Sequence, residues 1–170
     1  MNDLPKRKHP RLKGYDYNSN GAYFITLCVK DREEKLGAFV GRDDPGTPPN
    51  NTPLIELTEY GIIADKYIQS IAENYKGVFV DKYVVMTNHV HMIIMVNRNG
   101  GASGSPRPTN ALIPNLIGAF KRMTNKEYGF NMWHTSYHNH IIRNETEYLE
   151  IWEYIDTNPV KWKEDTYYIS

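Results

Sequence analysis

The stretch Val84–Val96, VVMTNHVHMIIMV, sets two histidines one residue apart inside a nearly unbroken apolar run. Residues i and i+2 of a β-strand project from one face, so His89 and His91 point together while Val90 points to the other side. The pair is either two satisfied polar side chains at a strand edge or half of a metal site. The apolar density around it predicts a strand in the middle of a sheet. VFVDKYVVMT then forms the neighbouring strand, joined to it at Thr87-Asn88.

Working outward, Tyr23–Val29 reads as a β-rich run after a turn at Asn18–Gly21, with KLGAFV as a short partner strand and LIEL as another. Thr58 can cap a helix running to about Asn74, in which Ile62, Ile63, Tyr67, Ile68 and Ile71 recur at helical spacing. A second helix covers about Pro114 to Tyr128 and stops at Gly129. HNHIIR is a strand, and Glu145–Thr157 is a last helix ended by Asn158-Pro159. Residues 41–53 and 97–110 are polar and rich in proline or glycine, and read as flexible loops. The order β-β-(β)-α-β-β-α-β-α predicts an α+β domain spanning 1–170, an antiparallel sheet with helices packed mainly on one face.

The 170 residues suit one such domain, and 20 Lys plus Arg balance 20 Asp plus Glu, so net charge names no partner. Distribution says more. KRKHPRLK, within a basic arm of about residues 1–14, holds five Lys or Arg and no acid, a solvated tail that also suits phosphate contact. Thirteen tyrosines and three tryptophans could stack on bases, although packing is their commoner use. Cys28 is the lone cysteine, which excludes an internal disulfide and a cysteine-cluster metal site and fits a reducing compartment. HMIIMV ends too soon to span a bilayer and no signal peptide is visible, so the expectation is a soluble, cytoplasmic protein without a membrane partner.

Two imidazoles on one strand face can hold a divalent ion, provided a third ligand and open positions exist. Imidazole suits manganese or zinc better than magnesium, yet phosphate oxygens from a substrate could complete a shell for magnesium or manganese.

Four pieces, in order along the chain, resemble the HUH single-tyrosine transposases, and among them the REP-associated tyrosine transposases. RLKGYDYNSNGAYFITLCVKDR is similar to the opening strand of that family, and YVVMTNHVHMII to its His-hydrophobic-His strand. LIGAFKRMTN looks like the following helix, and WHTSYHNHIIRNETEYLEIWEYIDTNPVKW resembles the C-terminal stretch. Together they span most of Arg11 to Trp162. The resemblance implies a ferredoxin-like fold and cleavage and rejoining of single-stranded or hairpin DNA. A helix-borne tyrosine would form a 5′-phosphotyrosine and release a 3′-hydroxyl, with a divalent Mg or Mn ion held by His89 and His91.

Phe120 stands where the resemblance calls for the tyrosine, and phenylalanine has no oxygen with which to attack phosphorus. Tyr128, the one tyrosine of that helix, lies about 12 Å of helical rise further on and becomes the candidate nucleophile, ahead of the more distant Tyr137. By the same resemblance a polar side chain one turn past the nucleophile position is a third ligand, with Asn125 preferred to Thr124. The alternative is a catalytically silent DNA-binding protein descended from such an enzyme. An unrelated metal-dependent hydrolase on the same topology is a third class.

Other side chains carry weaker signals. His138 and His140 form a second His-x-His, which the resemblance makes a supporting strand. Arg143 offers a bidentate guanidinium for a phosphate, or an ion pair with Glu145 or Glu147. Lys121, Arg122 and Lys126 make one helix flank basic, and with Lys6, Arg7, Lys8 and Arg11 they are the candidate DNA contacts. Trp133 can stack on a base or pack under the last helix. The resemblance admits a homodimer as well as a monomer.

Overall fold

Residues 20–40, 54–97 and 112–167 are described by the computed structural model. The candidate contacts Lys6, Arg7, Lys8 and Arg11 and nearly all of both loop segments lie outside the described residues. The strands are β1 (Gly21–Cys28), β2 (Gly37–Val40), β3 (Leu54–Leu57), β4 (Val78–Val85), β5 (His89–Val96) and β6 (His138–Ile142). The helices are α1 (Glu59–Gln69), α2 (Ile71–Asn74), α3 (Leu112–Tyr128) and α4 (Glu145–Thr157). Four strands form one sheet in the order β4-β5-β1-β6, antiparallel throughout. The path β1-α1-β4-β5-α3-β6 is the ferredoxin-like βαββαβ arrangement, and it puts β5 at the centre.

Strand periodicity divides the side chains of that sheet between two layers. Tyr23, Ile25 and Leu27 of β1 join Val90, Met92 and Ile94 of β5 on one face, where α1 and α3 supply Ala64, Ile68, Leu116, Ile117 and Phe120. Burial of each such aliphatic side chain contributes about 1.5–3 kcal/mol. The other face carries Phe24, Val84, Ile93 and Met95, covered by Tyr148, Ile151 and Ile155 of α4. So α4 is the exception to a one-sided helical layer, and it covers the face to which His89 and His91 belong.

Local signals explain the helix ends. The Thr58 hydroxyl accepts from the Gly61 N–H at 3.3 Å and donates to the Lys35 carbonyl at 2.5 Å, starting α1. Gly61 is required by packing, because a Cβ there would lie 2.0 Å from the Leu36 carbonyl oxygen. Gly129, at φ +80°, stops α3 in the left-handed conformation that glycine adopts without strain. Asn144 caps α4 by accepting from the Glu147 N–H at 2.9 Å. The apolar stripe of α1 is shifted from its expected position: Gly61, Ala64 and Ile68 are buried, whereas Ile62 is exposed.

KLGAFV does not pair with β1. Asp31 and Arg32, both at φ 56°, turn the chain away after β1, and β2 then pairs with β3 in a separate two-stranded ribbon. No helix among the described residues is long and apolar enough to cross a membrane.

Candidate functional site

His89 and His91 open β5 on the α4 face, 0% and 1% exposed, with ring centroids 4.4 Å apart. Their neighbours fix each imidazole. The Asn88 amide nitrogen donates to the carbonyls of Arg32 and Tyr167 at 3.2 and 3.0 Å, so its amide oxygen faces His89 Nδ1 at 2.8 Å. An amide oxygen only accepts, which puts the proton on Nδ1 and a lone pair on Nε2. That Nε2 is buried and has no hydrogen-bond partner among the described residues. A buried acceptor without a partner is costly to hold unless something occupies it.

His91 sits opposite Thr26 of β1, whose hydroxyl is 2.8 Å from Nδ1. Its Nε2 lies 3.2 Å from the Tyr154 hydroxyl and 4.0 Å from Asp165 Oδ2. Asp165 follows a short 3₁₀ turn, Trp162–Glu164, that brings the chain back across the sheet after α4. Its Oδ1 accepts from the Tyr167 N–H at 2.7 Å, and its Oδ2 accepts from Tyr154 at 2.9 Å and from the Asn158 amide. One ligand atom from each of His89, His91 and Asp165 lies within 4.8 Å of the other two. Two imidazole nitrogens and a carboxylate oxygen are a donor set for manganese or zinc, and the orphaned Nε2 fits such an ion.

Aromatic rings close the cluster. Trp162 stacks on His89 at 5.6 Å between centroids and on Phe39 at 6.1 Å, while Tyr167 lies 4.7 Å from His89 and 5.6 Å from His91. Burial, helped by the Arg32 charge, drops the His89 pKa to about 3. Burial and the neighbouring His89 hold His91 well below its usual value, with Asp165 acting in the opposite direction. Both rings are thus neutral at pH 7, the state that binds a cation. Burial and the Asp165 carboxylate raise the Tyr154 phenol well above the ordinary range.

The depressed histidines make stability acid-sensitive. The unfolded chain takes up a proton near pH 6.5 where folded His89 does not, so stability is full above that pH and falls toward about 3. At up to ~1.4 kcal/mol per pH unit, His89 alone removes about 2 kcal/mol by pH 5, or roughly 5 °C in thermal midpoint. Melting curves at pH 7 and pH 5 check this, and an unchanged midpoint would show that the imidazole is not held neutral.

The residues expected on α3 lie elsewhere, because α3 packs against the Val90 face of the sheet. Tyr128 donates to the Tyr60 carbonyl at 2.9 Å and packs edge-on against the Tyr60 ring. Asn125 closes the turn after α3, its Oδ1 accepting from the Met132 N–H at 3.0 Å and its amide nitrogen donating to Asn131 at 3.3 Å. Phe120 is buried against Trp133, which therefore packs. The Trp133 indole donates to Thr124 at 2.8 Å.

Lys121 donates to the carbonyls of His134, Thr135 and Ser136 at 2.7–3.3 Å, and burial lowers its pKa to about 8. Arg122 and Lys126 are exposed and line an open cup with Phe130 and Asn131. Arg143 is exposed, with its backbone N–H donating to Glu147 at 2.7 Å. His140 pairs with Glu147 at 2.5 Å, and His138 packs edge-on against Phe24.

Sequence reading missed Asp165, Tyr154, Asn88, Thr26 and the aromatic cover. Thr26 follows from strand pairing alone, given the β1–β5 register. Asn88 carried a signal in the Asn-His-Val-His string itself. Asp165 carried none, as one acid in the polar run KWKEDTYY.

No family model matches the chain. Over 180 aligned residues it is 31% identical to an uncharacterized protein of Haemophilus influenzae, covering 96% of this chain and 93% of that one. Its structure is similar to that of a REP-associated tyrosine transposase bound to a REP hairpin, with a TM-score of 0.58 and 19% identity over 89% of this chain and 73% of that one. At that identity the likeness establishes the fold, including the sheet whose central strand bears the histidines. The chain belongs to one family with the Haemophilus influenzae protein, and it carries the fold of that REP-associated transposase.

Proposed function

We propose that this chain cuts and rejoins DNA at single-stranded or hairpin sites through a 5′-phosphotyrosine, using a divalent cation, magnesium or manganese, held by His89 and His91. The observation that carries the reading is the buried, unpartnered His89 Nε2 beside His91 and Asp165. Asn88 holds His89 as the tautomer that presents Nε2, and Thr26 orients His91. Asp165 is the third ligand of this reading, since the Asn125 amide is used in closing α3. When bound, the cation would polarise the scissile phosphate and offset charge developing on its oxygens. Arg122, Lys126 and Arg143, with Lys6, Arg7, Lys8 and Arg11 of the N-terminal arm, supply the cationic contacts to the DNA backbone. A hairpin substrate is favoured because the solved transposase of the same fold is bound to a REP hairpin.

The test is to mix the protein with a panel of end-labelled hairpin and single-stranded DNA in manganese. A covalent protein–DNA band that survives denaturant is expected, absent when the cation is chelated. Tight binding without any such band would leave the silent DNA-binding protein as the better reading.

A further inference from the structure

Where the chain leaves α3 at Gly129, it builds a recess that its own side chains do not fill. Arg122, Asn125, Lys126, Gly129, Phe130 and Asn131 line an open space of about 550 Å³, the size range of small-ligand sites. Arg122 and Lys126 are exposed one helical turn apart, and neither pairs with a carboxylate among the described residues. Glu127, the acid beside them, is turned to Lys66 at 3.1 Å. Phe130 is 37% exposed, yet its ring is backed edge-on by Tyr60 at 5.6 Å and at a tilt by Tyr128 at 6.1 Å. Lys35, neutralised by Glu33 at 2.5 Å, reaches the same ring at 5.1 Å. The Asn131 amide oxygen accepts from Asn125 at 3.3 Å, which leaves its NH2 group to donate outward.

We propose that this recess binds an unpaired nucleotide of single-stranded DNA, with its base stacked on Phe130 and its flanking phosphates on Arg122 and Lys126. The proposal rests on the DNA reading above and adds a contact on the other side of the sheet from the histidines. An exposed, rigidly backed ring between cations is the chemistry that takes a free base together with its backbone. A base inside a paired stem is already stacked on its neighbours and does not reach such a ring. Every base has a π face, so the recess selects for lack of pairing rather than for sequence. The recess and the histidine pair share one end of the sheet. There the Lys30 N–H donates to the Met132 carbonyl at 2.7 Å, next to Asn131, and the Val29 N–H donates to the Asn88 carbonyl at 2.8 Å, next to His89. A single strand that rounds this end of β1 meets both places.

The test measures binding by fluorescence anisotropy with the full chain in EDTA, so that no cation at the histidines contributes. The probes are a hairpin with an unpaired tail of about ten thymidines and the same hairpin without the tail. Phe130→Leu keeps an apolar side chain against Tyr60 and removes the π face. It should weaken binding of the tailed hairpin on the order of 10-fold, with the tailless hairpin and the melting profile unchanged. Arg122→Gln combined with Lys126→Gln should lower the slope of log affinity against log salt by about 1.4 on the tailed hairpin. With 5-iodouracil in the tail, ultraviolet light should cross-link the strand to Phe130, as located by proteolysis and mass mapping. Undiminished binding of the tailed hairpin by Phe130→Leu, equal weakening on both hairpins, or a cross-link that avoids Phe130 overturns the stacking site. Those outcomes leave the cleavage reading to its covalent band, whereas an unaltered protein that binds neither hairpin overturns both.

Discussion

His91→Ala is expected to reduce manganese binding by more than about 10²-fold and DNA adduct formation on the order of 10³-fold, with DNA binding largely retained. His91 meets four neighbours in the cluster: Thr26 at one ring nitrogen, Tyr154 and Asp165 near the other, and His89 at 4.4 Å between centroids. Removing the imidazole of His91 leaves one histidine and one carboxylate, too few to hold a divalent ion firmly in water. In the proposed reading, DNA affinity would come from Lys and Arg outside the sheet and depend on salt rather than on the ion at the site. Titration calorimetry with manganese, a covalent adduct assay and a salt series of DNA binding separate the three quantities. His91→Gln fills most of the ring's volume and guards against a simple folding defect. Unchanged manganese affinity in both variants would remove the metal centre from consideration.

The second large effect is expected at Trp162. Its side chain is 2% exposed and lies between the rings of Phe39 and His89, both at 29° interplanar angle. Truncating a buried tryptophan costs about 3–5 kcal/mol in transfer and cavity terms. For a chain of this size that lowers the thermal midpoint by roughly 10 °C. The loss falls on the segment that carries Asp165 and Tyr167, so His89 should also become open to solvent. Trp162→Ala is therefore expected to melt earlier and to let diethyl pyrocarbonate modify His89, whereas the unaltered protein protects it. Equal melting points and equal protection would show that Trp162 does not hold the cover in place.

How much of this was readable beforehand varies with the kind of contact. His89, Val90 and His91 were divided correctly between two faces because strand alternation is a local rule. The cap at Thr58, the stop at Gly129 and the strand exchange at Thr87-Asn88 are equally local, and they lie where the sequence places them. The choice of which helix covers which face is not local. Nothing in the apolar spacing of Leu112–Tyr128 says that it packs on Val90 rather than on His91, since both faces of β5 are buried. Asp165 reaches the histidines only because α4 and the following turn return across the sheet, and no periodicity announces a carboxylate brought in that way. Tyr154 was hidden for the opposite reason, as one of thirteen tyrosines and a member of an ordinary helical stripe.

The central sheet works as a partition between two kinds of mutational consequence. Substitutions in α1, α3 and the Val90, Met92 and Ile94 side of β5 are felt as folding defects, and so as loss of protein. If the proposed chemistry holds, substitution at Asp165 on the other side leaves that layer untouched and should be felt as loss of chemistry at normal abundance. In a library of random variants scored for both soluble yield and DNA processing, the two classes should divide Val90, Met92, Ile93 and Ile94 of β5 from His89 and His91, rather than sort by distance along the chain.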